Sequence, residues 1–112
     1  MSLFTNRKRN MVKHIILWTL KSELSEQEKE TVKQGIKEGL EGLVGKIPGL
    51  IDVKVYTDHR LATSTADLML YSTLESEEAL RAYAVHPAHV AVADSMVRPY
   101  TSLRSCLDLE TE

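Results

Sequence analysis

The stretch VKHIILWTL, Val12–Leu20, sets Ile15, Ile16, Leu17 and Trp18 in unbroken succession. β-branched and aromatic residues suit a pleated, extended backbone, so this segment reads as a strand. Neighbouring side chains on a strand point to opposite faces. Here both faces receive apolar side chains, and a strand of that kind belongs inside a sheet with cover above and below.

Outward from this strand, SEQEKETVKQGIKEGLEGLVGKI (Ser25–Ile47) predicts a helix. Ser25 and Glu28 form a capping box, in which hydroxyl and carboxylate each satisfy a free amide of the first turn. Val32, Ile36, Leu40, Leu43 and Ile47 recur at helical spacing as one buried stripe. Gly45 and Pro48–Gly49 are expected to end it. Gly35, Gly39 and Gly42 form a second stripe beside the first, each at a cost of about 1 kcal/mol against alanine. They read as tolerated surface glycines, with close helix–helix approach or room for a bulky ligand as alternatives.

LIDVKVYTD follows, with Ile51, Val53 and Val55 alternating against Asp52, Lys54 and Tyr56, the pattern of a strand wet on one face. After the polar connection HRLATST, the run ADLMLYSTL (Ala66–Leu74) is apolar almost without a break and predicts a third strand. Ser76 caps a short helix with Glu77 and Glu78 in its first turn, where negative charge suits the dipole. Leu80, Tyr83 and Ala84 are its inner face. Pro87 restarts a further helical segment, and TSLRSCLDLE ends the pattern as an alternating strand.

The order βαββαβ indicates an α+β, ferredoxin-like protomer, with an antiparallel four-stranded sheet and helices on one face. In that topology strands one and three are central, and those are the two unbroken apolar runs. Two helices cover only one face of such a sheet. The other face exposes more apolar surface than soluble monomers tolerate, so a homodimer packed sheet to sheet is expected.

Length and composition narrow the function classes. The 112 residues allow one domain, expected over residues 11–110. Residues 1–10, MSLFTNRKRN, read as a leader, an expression-vector remnant or a mis-assigned start, with Arg7–Arg9 as a basic arm the alternative. With 27% charged and 43% hydrophobic residues and a net charge of −2, no overall basic field draws nucleic acid or an anionic membrane. No apolar run approaches the ~18–20 residues that span a bilayer, and no signal-peptide core is present. The single cysteine, Cys106, fits a reducing compartment, so a cytoplasmic protein is expected.

The chemistry-bearing segment is AYAVHPAHVAVADSM, Ala82–Met96. Together with MVKHIILWTL at the first strand, its YAVHPAHV core resembles the stress-responsive A/B barrel (Dabb) domains over Met11 to about Glu110. That resemblance implies a homodimeric α+β barrel. Within the family, the olivetolic acid cyclase type of polyketide cyclase is similar in these motifs and closes an aldol ring without cofactor or metal. The resemblance carries its tyrosine–histidine pair onto Tyr83 and His89, with His14 in the first strand. Where that cyclase has aromatics along the first helix, this chain has Val32 and Ile36.

The residues themselves are compatible with such a role. The position before a proline is pushed out of helical conformation, so His86 sits at a break and Pro87 opens a helix. His89 then falls in the first turn and shares a face with Val92, Ala93 and Met96. Partial burial and the helix dipole disfavour imidazolium there, leaving a neutral base. Tyr83 is placed to donate a hydrogen bond to a developing enolate oxygen. His14, Ile16 and Trp18 point to one side of the sheet; if that side faces the helices, they line the same pocket with Ile36, Leu70, Val92 and Met96.

No cofactor is expected. Metal binding is disfavoured, because His86 and His89 should diverge and only Asp94 is conceivable as a further ligand. Cys106, alternating with Arg104 and Asp108, reads as incidental, and His59 as solvated. Two functions remain open: a binder of an apolar, oxygenated small molecule with cofactor-free aldol, cyclase or lyase chemistry, or a non-catalytic stress-associated or interaction protein with a structural HPAH motif. A cofactor-free monooxygenase rests on fold analogy alone. A cavity of ~300 Å³ or more holding all three side chains favours the first, and a closed interior the second.

Overall fold

A computed structural model describes residues 10–111, so nearly all of the expected leader lies outside the described residues. Strand β1 is Val12–Leu20, helix α1 Glu26–Glu41, β2 Leu50–Tyr56 and β3 Leu68–Leu74. Helices α2 (Glu77–Val85) and α3 (Pro87–Val92) follow, then a π-helical turn (Ala93–Val97), a 3₁₀ turn (Arg98–Tyr100) and β4 (Thr101–Glu110). The strands form one sheet in the order β2-β3-β1-β4, every pair antiparallel. This is the ferredoxin-like fold, with β1 and β3 inside and β2 and β4 at the edges, as the apolar runs require.

The pleat sorts β1 cleanly. Val12, His14, Ile16, Trp18 and Leu20 are buried beneath the helices, while Lys13, Ile15, Leu17 and Thr19 face away. Val32, Ile36 and Leu40 of α1 pack onto Ile16, Leu70, Val53 and Val55 in one core. Ser25 and Glu28 make the reciprocal capping box, and Ser76 caps α2 through the amide of Ala79. Lys37 and Glu41 bind the carbonyl and amide of Val55, which occupies part of the free edge of β2. No helix of the described residues is long and apolar enough to cross a membrane.

Three local expectations are corrected. Helix α1 ends at Glu41 with Gly42 as its cap, and Leu43 and Ile47 are buried from irregular turns instead of from a continuing helix. Gly45 and Gly49, at φ +91° and +85°, carry those turns. A register shift between Leu50 and Asp52 turns Leu50 inward and leaves Ile51 exposed. Finally, Gly39 is no surface residue: a Cβ there would stand 2.9 Å from Cγ1 of Val92, so its absence lets α1 and α3 approach closely.

Candidate functional site

His14 reaches the helical side of the sheet because it shares the even-numbered face of β1 with Ile16 and Trp18. Tyr83 comes from the buried stripe of α2. His89 comes from α3, set across the chain break that Pro87 imposes. There His86 is the C-cap of α2 and the N-cap of α3, its Nδ1 accepting the amide of Ala88 at 3.1 Å. His86 is therefore an architectural member of the motif.

The three remaining side chains converge. The rings of Tyr83 and His89 lie 4.3 Å apart between centroids, and those of His14 and Tyr83 6.0 Å apart, edge-on. All three line a cavity of about 130 Å³ between sheet and helices, with Ile16, Trp18 and Leu70 in its wall. The other residues expected there go elsewhere. Ile36 is fully buried in the α1–sheet core. Val92 packs toward Gly39, and Met96 lines a separate groove beside α1 with Val32, Gly35 and Tyr100. Across the π-helical turn it is Ala93 and Val97 that face the cavity. Asp94 is ion-paired with Arg98, and His59 stands exposed in the β2–β3 connection.

Hydrogen bonding sets the proton positions. Nδ1 of His89 lies 3.2 Å from the carbonyl oxygen of Ala84, which only accepts, so Nδ1 carries the hydrogen and neutral His89 keeps an unprotonated Nε2. Burial lowers the pKa of His89, and Arg98, His14 and Arg104 add to that effect; the Ala84 hydrogen bond opposes it. Nδ1 of His14 lies 2.5 Å from Oδ1 of Asp108. An ionised carboxylate accepts, so the Nδ1 hydrogen of His14 is directed at Asp108, which orients the ring. Burial pushes the Tyr83 hydroxyl up to about 12, which keeps it a neutral donor. The site thus sets two imidazoles, each anchored through Nδ1, around one phenol donor.

Asp108 was not singled out by sequence reasoning. It lies opposite His14 in the β1–β4 ladder, in a register where Val12 also faces Glu110. The usable signal is the topology: once the first and last strands are neighbours, the polar residues alternating along β4 fall beside His14.

The cavity alone is well below ~300 Å³. It adjoins a larger concavity of about 670 Å³ along β4, sharing His14, Leu80, Ala84 and Arg104 with it and adding Glu77, Cys106, Asp108 and Glu110. The three-residue constellation sits at the closed end of an open groove.

Several solved structures are similar. A dimeric protein of unknown function with a ferredoxin-like fold, from Bacteroides fragilis, is 30% identical with a TM-score of 0.84, over 94% of this chain and 100% of that one. A dimeric ferredoxin-like protein of unknown function from Thermobifida fusca is 24% identical with a TM-score of 0.75, over 92% of both chains. Hydroxynitrile lyase from Passiflora edulis shares the fold at 18% identity and a TM-score of 0.69, over 92% of this chain and 94% of that one. No protein of curated function matches the sequence. The model of the stress-responsive A/B barrel domain matches residues 12–111, and the chain belongs to that family.

Proposed function

We propose that this protein is a homodimeric barrel that binds an apolar, oxygenated small molecule at the His14–Tyr83–His89 cavity and catalyses cofactor-free proton transfer there, of the aldol, cyclase or lyase kind. One observation carries the reading: both histidines have Nδ1 tied to an acceptor, and their rings line one small cavity with a neutral phenol hydroxyl. His89 Nε2 takes the proton from a carbon next to a carbonyl. The electron pair moves onto the carbonyl oxygen, where the Tyr83 O–H donates to it. His14, oriented by Asp108, assists on the other side. The small molecule's apolar part extends into the groove along β4, which answers the small size of the inner cavity.

The homodimer belongs to the same proposal. The open sheet face carries Leu17, Leu103, Leu107 and Leu109, all at least 40% exposed in the single chain. Three similar structures, from Bacteroides fragilis, Thermobifida fusca and Jannaschia, are described as dimeric. The fold shared with a hydroxynitrile lyase adds cyanohydrin cleavage to the reactions worth assaying.

Deuterium uptake at the α-carbon of an aryl methyl ketone, followed by NMR in D₂O, is the direct test. The wild type should exceed the buffer rate. His89→Gln should lose roughly 10²–10⁴ of that acceleration and Tyr83→Phe roughly 10²–10³, with circular dichroism unchanged. A wild type no faster than buffer, both with ketones and with cyanohydrins, would leave the HPAH motif a purely structural element.

A further inference from the structure

Antiparallel pairing of β1 with β4 sets three different donor types side by side. Cys106 and Asp108 lie two residues apart on the same face of β4, opposite Ile16 and His14. One ligand atom from each of His14, Cys106 and Asp108 falls within 4.8 Å of the other two. The shortest contacts are His14 Nδ1 to Asp108 Oδ1 at 2.5 Å and Cys106 Sγ to Asp108 Oδ2 at 3.5 Å.

Nitrogen, sulfur and oxygen together are the donor set of a borderline divalent cation. Calcium and magnesium take oxygen alone. Tetrahedral zinc, with ligand bonds of about 2.0–2.3 Å, places its ligands ~3.3–3.8 Å apart, so small rotamer shifts convert this cluster into a coordination face. The shifts fall on the right residues. His14 is held by the sheet interior and is 8% exposed, whereas Cys106 and Asp108 are exposed and free to adjust. All three open on the groove of about 670 Å³, which leaves a fourth position to water or a ligand, and Glu77 and Glu110 line the same groove. Arg81 and Arg104 also line it. Burial and the Asp108 carboxylate push the free Cys106 thiol up, with Arg104 opposing them, so the thiol gives up its proton only as the cation binds.

We propose that His14, Cys106 and Asp108 form a three-ligand site for a borderline divalent cation such as zinc, with its fourth position open to the groove along β4. The cation takes the place of the hydrogen between His14 and Asp108. His14 stays neutral, losing its proton from Nδ1 and gaining one at Nε2. Cys106 gives its thiol proton to solvent, so one proton is released per cation bound. Thiolate and carboxylate then neutralise the dication.

Cation binding protonates His14 Nε2 and leaves His89 Nε2 as the base of the proton-transfer reading. Cobalt(II) titration of metal-free, full-length protein tests the metal site without any organic substrate, so either proposal can fail while the other stands. One equivalent per chain should give a sulfur-to-cobalt charge-transfer band and tetrahedral visible absorption. Zinc(II) should abolish both, with release of one proton per ion. Cys106→Ser should remove the charge-transfer band, and Cys106→Ser and Asp108→Asn should each weaken zinc binding by more than the ~10–100-fold that loss of an outer partner costs. Absence of the band in the wild type, or a Cys106→Ser protein that binds zinc equally tightly, overturns the assignment.

Discussion

At the scale of single residues, His89 carries the most specific consequence. Burial favours its neutral form, so its folded pKa lies below the ordinary imidazole value of ~6.5. Between the folded and unfolded pKa values the unfolded chain binds more protons, and stability therefore rises with pH across that window. Above the unfolded value the two states bind protons equally and the effect vanishes. Thermal unfolding followed from pH 7 down to 5 should show a falling Tm, and His89→Gln should flatten part of the decline. By NMR the His89 ring should titrate below an unperturbed imidazole; a midpoint at or above that value contradicts the environment described. His14, Tyr83 and His89 could be named from the sequence because they match the motifs that carry the family resemblance. Asp108 was not, since nothing near it in the chain announces a partner 94 residues away.

At the scale of elements, the two glycines of α1 make opposite forecasts. A mid-helix Gly→Ala change ordinarily gains about 1 kcal/mol. At Gly35 the new methyl would meet only the flexible Sδ of Met96, at 3.4 Å, and the gain should survive as a higher Tm. At Gly39 it would stand 2.9 Å from the stiff Cγ1 of Val92, forcing α3 away from α1. Gly39→Ala should therefore leave Tm unchanged or lower, and, because α3 carries His89, weaken ligand handling where Gly35→Ala does not. Two Tm measurements and the ketone exchange assay decide it. Periodicity, caps and the proline break located the four strands and α1, α2 and α3, but could not show that Gly39 meets α3. Nor could they place the end of α1: Leu43 and Ile47 keep the helical spacing although their backbone has left the helix. Spacing reports which side chains must be buried, and several backbone paths bury the same set.

At the scale of the whole molecule, β4 makes the case for a second copy. Of its ten residues, only Thr101 is even partly covered within the protomer. Its two faces differ in kind. Arg104, Cys106, Asp108 and Glu110 lie on the groove side and suit water, while Leu103, Leu107 and Leu109 alternate to the other face, Leu107 beside Ile15, and Leu109 also borders the groove. An edge strand with three leucines facing solvent, next to a central strand apolar on the same side, invites association. The polar face needs no cover, so a partner packed against the sheet would leave the groove open. The β2 edge is occupied near Val55 by Lys37 and Glu41, which disfavours edge-to-edge pairing there. Light scattering should accordingly give twice the chain mass at micromolar concentration. Leu103→Glu combined with Leu107→Glu should yield a folded or partly destabilised monomer, since it buries like charges at the two-fold contact. Arg104→Glu, the next residue along the same strand and on the groove face, should stay dimeric. A double variant that remains a dimer would place the contact elsewhere and leave this apolar face without an explanation.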